Sequence, residues 1–134
     1  VCAAPHPPIQ GLSIPGAIAM VEPAWEDECV WVDKLQDIAV RWENVPNDAY
    51  TLWVLVYSPL NRKYYPRPCG QELLPSSGER ACQARFEKPE PYEIILLLAD
   101  AQAAEALQKL AAGASQGDLP GGIAEKASQR VARR

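Results

Sequence analysis

Residues 50–68 read YTLWVLVYSPLNRKYYPRP. The run from Leu52 to Tyr57 is too short to cross a bilayer and too rich in β-branched and aromatic residues for a helix, so it predicts a strand buried on both faces or nearly so. Ser58-Pro59-Leu60-Asn61 turns the chain into KYYPRP, a short polar strand stopped by Pro66 and Pro68. Proline cannot donate to a β ladder, which places this strand at a sheet edge. Tyr64 and Tyr65 are neighbours in it, so one ring is expected inward and the other outward.

Upstream, Ile38, Val40 and Trp42 alternate with Ala39, Arg41 and Glu43, the period of a strand with one wet face, and Val45-Pro46-Asn47-Asp48 supplies a turn. AIAMVEP and CVWVDKL read as short strands. Residues 1–16, VCAAPHPPIQGLSIPG, carry four prolines and two glycines without periodicity and read as an extended lead-in. Downstream, RACQARFE turns Cys82 and Phe86 inward, and YEIILLLAD is a second strand-length apolar run. The tail changes character: Ala103, Ala106, Leu107, Leu110 and Ala111 lie at helical spacing, with Asp100 as N-cap and Gly113 as stop, predicting one helix near 100–113. SQRVARR reads as a last edge strand guarded by its arginines. Turn signals at intervals of about ten residues suit an antiparallel sandwich, so 17–134 is expected to form a single β-sandwich domain that includes the helix.

LWVLVY at 52–57, KYYP at 63–66, YEIILLLAD at 92–100 and the Ala-rich helix followed by GDLPGG resemble a family of bacterial extracytoplasmic immunoglobulin-like modules. The resemblance covers about the last two thirds of the chain. It implies an antiparallel immunoglobulin-like β-sandwich with a C-terminal helix before its last strand. It also implies a role in display or recognition, with no catalytic residues to carry over.

Composition narrows the function classes. Thirteen prolines in 134 residues, about twice the usual share, favour short strands and fixed loops. A net charge of −4 gives no long-range pull toward nucleic acid or anionic lipid. The sequence shows no signal peptide or transmembrane stretch, and its opening suits a processed chain. Cys2, Cys29, Cys69 and Cys82 lack zinc-ribbon spacing, and His6 is the sole histidine, so two disulfides and an oxidising compartment are the better reading. Of three pairings, Cys69–Cys82 with Cys2–Cys29 is expected, because the first pair flanks one loop and the second tethers the lead-in. A Cys29–Cys82 bridge is the second choice.

Motifs for chemistry are sparse. Glu26, Asp27 and Glu28 beside Trp25 hold carboxylates of the kind glycosidases use, but a solvated turn explains them more simply. No serine lies in a G-x-S-x-G context, and a Cys2–His6 nucleophile needs an ordered lead-in. Asn47 and Asp48 offer oxygen ligands without a D-x-D-x-D run, so no metal or cofactor is expected. Trp42 and Trp53 read as core; Trp25, Arg62, Lys63, Tyr64, Tyr65 and Arg67 read as a binding surface. The expected function is a non-catalytic extracytoplasmic recognition or assembly module. Its partner would be another copy or a protein of a larger membrane-associated assembly, with no nucleic acid and no membrane insertion. The alternatives are a carbohydrate-binding module using exposed aromatics and a hydrolase using the acidic run.

Overall fold

The computed structural model describes residues 2, 6–22 and 29–133. The order of elements is β1 (Ala17–Glu22), β2 (Val30–Val32), β3 (Leu35–Glu43), β4 (Thr51–Ser58), β5 (Lys63–Pro68), β6 (Gly78–Arg85), β7 (Pro91–Ala99), α1 (Ala101–Gln108) and β8 (Ile123–Arg133). They form a three-stranded sheet, β1-β3-β6, and a five-stranded sheet, β2-β8-β7-β4-β5. The chain is mainly β, with one α-helix and a single 3-10 turn, Gln116–Asp118, among the described residues.

One hydrophobic core joins the two sheets. Ile18, Met20, Ile38, Val40, Trp42 and Ala84 from the smaller sheet meet Leu52, Val54, Val56, Ile94, Leu96, Leu98 and Val131 from the larger. The larger sheet also buries its other face: Trp53, Leu55, Tyr57, Tyr64, Ile95 and Leu97 pack under Ala103 and Leu107 of α1, with Ile9 of the lead-in and Leu119 beside them. Double burial explains why β4 and β7 are continuous apolar runs, whereas β3, wet on one face, alternates. Trp42 Nε1 donates to the Pro75 carbonyl at 2.9 Å and Trp53 Nε1 to Thr51 Oγ1 at 3.0 Å, so neither buried indole leaves its N–H unpaired.

Asp100 caps α1, its Oδ1 accepting from Ala103 N at 2.8 Å, and Gly113 adopts φ 123° beyond the helix. Disulfides join Cys2 to Cys29 and Cys69 to Cys82, with Cα atoms 5.5 and 5.4 Å apart. Two such bridges suit maturation in an oxidising compartment. Among the described residues, no helix is long and apolar enough to cross a membrane.

Two expectations need correction. The tail is no edge strand: β8 lies between β7 and β2, because Val131, Ala132 and Arg133 pair with Val30, Trp31 and Val32. That pairing is parallel, so the larger sheet is mixed.

Candidate functional site

β5 is an edge strand, and Arg62, Lys63 and Arg67 are exposed along it. The exposed tyrosine expected between them is absent. Tyr64 is buried: its ring lies 4.6 Å from that of Tyr57, and its hydroxyl donates to Gln116 Oε1 at 2.5 Å. Burial holds its phenol well above the usual range, and Tyr57, Glu93 and Glu125 add to the shift. Tyr65 is half-buried against the inter-sheet core and accepts from Asn61 Nδ2 at 3.0 Å. The cause is tertiary, since α1, the turn after it and the lead-in cover the face that the sequence leaves open. Trp25, with Glu26, Asp27 and Glu28, lies outside the described residues. Among the described aromatic rings the most exposed is Trp31 on β2, at 54%.

The two outer strands that flank the gap between the sheets differ in what their backbones offer. Tyr64 turns its backbone away from β4, donating to and accepting from Ala114 at 2.8 Å in both directions. By alternation Pro66 and Pro68 point the same way, and neither has an N–H. The β5 edge is therefore capped at one end and without donors along the rest. On β6, Phe86 N donates to Lys34 O at 2.8 Å, and the regular register makes Gln36–Ala84, Ile38–Cys82 and Val40–Arg80 the hydrogen-bonded pairs. Glu79, Ala81, Gln83 and Arg85 then aim their N–H and C=O groups outward, with no backbone partner among the described residues and no proline in the row.

Between these edges lies a cleft of about 410 Å³. Val54, Val56 and Tyr65 form its apolar wall, Ala84 closes the β6 side, and Arg67, Arg85 and Lys88 stand at its mouth. Ser58 lines it too; the residue is 2% exposed, and its hydroxyl has no hydrogen-bond partner among the described residues. Buried polar groups are nearly always paired, so this hydroxyl stands out in a lining that also holds Asn61, Glu87 and Glu90. The Cys69–Cys82 disulfide clamps the sheets together on this side of the molecule.

A third cluster sits on the covered face of the larger sheet. His6 donates its backbone N–H and Nδ1 to Glu93 Oε1, both at 2.7 Å, and Nε2 lies 2.5 Å from Glu125 Oε1. Its ring stands edge-on to Tyr57 and Tyr64. Burial pulls the imidazole pKa down, but the hydrogen bonds and charges of the two glutamates outweigh it and raise the value to about 9. At neutral pH the ring is a cation whose two N–H groups are both engaged. It has no lone pair for a substrate proton or a metal, and it acts as the pin of the lead-in. Pro8 O accepts from Gln116 Nε2 at 3.0 Å, Leu12 N donates to Ile123 O at 2.7 Å, and Lys126 Nζ bonds the carbonyls of Ile14 and Gly16. The sequence did carry one signal for this cluster: Glu93 is a lone charge inside an apolar strand, and such a charge needs a partner.

No family model matches the chain, and no curated protein matches it.

Proposed function

We propose that this chain is a non-catalytic, immunoglobulin-like recognition or assembly module that works outside the cytoplasm and binds a partner protein by accepting an extended segment along β6. The observation that carries this reading is the unpaired row of Glu79, Ala81, Gln83 and Arg85. Main-chain bonds to such a row supply affinity, and side chains entering adjacent pockets supply selectivity. The cleft beside Ala84 and Arg85 provides such a pocket. The two disulfides support the compartment. Sugar stacking has less support, because Tyr64 is buried and Tyr65 half-buried.

Ala81→Pro tests the reading. It removes one outward donor and leaves the ladder to β3 intact, because Ala81 turns its N–H away from β3. Binding of extended peptides from a library should be lost with the melting temperature nearly unchanged. Undiminished peptide binding by this variant would contradict strand addition at β6.

A further inference from the structure

We infer that the segment β6 accepts is the β6 strand of a second copy of this chain, paired antiparallel about a twofold axis at Cys82. The inference rests on the proposed strand addition and adds the identity of the occupant.

An isologous pair of identical strands must run antiparallel, each residue facing its mirror position across the axis. The outward-directed backbones belong to residues 79, 81, 83 and 85, so only registers that match these to one another form a ladder. With the axis at Cys82, Glu79 faces Arg85 of the second copy, Arg85 faces its Glu79, and Ala81 faces Gln83. Each opposite-charge pair occurs twice by symmetry. Moving the axis to Gln83 sets Glu79 against Glu87, a like-charge pair, and moving it to Ala81 sets Glu79 against Gln83 and Ser77 against Arg85, with no ion pair at all. The charges thus select one register.

The side chains are placed for this. Glu79 and Arg85 are more than half exposed on the outer face of the smaller sheet. Glu79 already pairs with Arg41 across β3, Nη2 to Oε1 at 2.6 Å, so the second copy's Arg85 would extend a row of alternating charge. Arg80 is the inward charge that guards many edge strands, but here it is tied down: Nη1 donates to Cys69 O at 2.9 Å and the guanidinium lies over Trp42. What remains is a charged edge that repels unrelated strands and complements its own copy.

The test is the mass of the full chain by sedimentation equilibrium, from micromolar to millimolar concentration, for the wild type, Glu79→Arg, Arg85→Glu and an equimolar mixture of the two variants. A wild-type dimer is expected, with dissociation constants weaker by about tenfold or more for each variant alone, where like charges meet twice. The mixture should recover the dimer, because both facing pairs are again opposite in charge. Each variant keeps its own internal perturbation in the mixture, so recovery reports the contact between copies. A wild type that stays monomeric, a dimer that neither variant weakens, or a mixture without recovery overturns the inference. A monomeric wild type that still binds peptides in an Ala81-dependent way retires the second copy alone; a monomer that binds none retires strand addition as well.

Discussion

Among the described residues, the five-stranded sheet is covered on both faces and capped at its β5 edge, whereas the three-stranded sheet is covered on one face and open at β6. Both edges border the same gap, and both carry cations. The difference is in their backbones: two prolines and the Ala114 bridge leave β5 nothing to donate, while β6 presents a complete row. An edge strand is thus not in itself a contact surface. What decides is which way each amide points.

The largest contrast is expected between faces. Trp53→Ala, under α1, should cost about 3–5 kcal/mol, whereas Leu35→Ala, on the wet side of β3, should stay within about 0.5 kcal/mol. Urea unfolding of both variants checks this, and a Trp53 variant as stable as the Leu35 variant would break the contrast. Next, replacing Cys69 and Cys82 together by alanine should cost about 3 kcal/mol, since the bridge closes a loop of 13 residues in sequence separation. The same pair of substitutions should loosen the gap that the two edges border.

A smaller effect concerns the cover of the larger sheet. His6 has a folded pKa near 9 against 6.5 when free, so its contribution is complete below pH 6.5 and is lost as pH rises through 9. The imidazole Cε1–H resonance should titrate near pH 9, and His6→Gln should flatten the fall in melting temperature over that interval. A midpoint near 6.5 would mean that the glutamates do not clamp the ring. The three-stranded sheet, which has no such cover, should show no matching transition.

The local pattern carried most of the strands, the start of the helix at its Asp100 cap, and the inward turn of Phe86 and Cys82, because each depends on neighbours a few residues away; β8 begins at Ile123, ahead of SQRVARR, and α1 ends at Gln108, short of Gly113. It could not carry what depends on distant partners. Glu93 and Glu125 lie 87 and 119 residues from His6, so a lead-in that reads as loose becomes a strap across the sheet. Tyr64 reads as a candidate surface ring until Ala114 and Gln116 arrive from beyond the helix. The tail reads as an edge until β2 joins it in parallel from a hundred residues upstream. The prolines of β5 mark an edge strand in the sequence alone, but an edge without donors follows only from the register, which turns Pro66 and Pro68 away from β4. That register leaves the outward donors on β6 and none on the proline half of β5.

Amide hydrogen exchange, residue by residue, tests the difference between the two edges most directly. In dilute solution Glu79, Ala81, Gln83 and Arg85 should exchange fast while Arg80, Cys82 and Ala84 exchange slowly, and Tyr64, bonded to Ala114, should be protected. On concentration the four fast amides should slow together. Protection of all β6 amides alike in dilute solution, or a Tyr64 amide as fast as that of Ala81, would contradict an open β6 edge facing a closed β5.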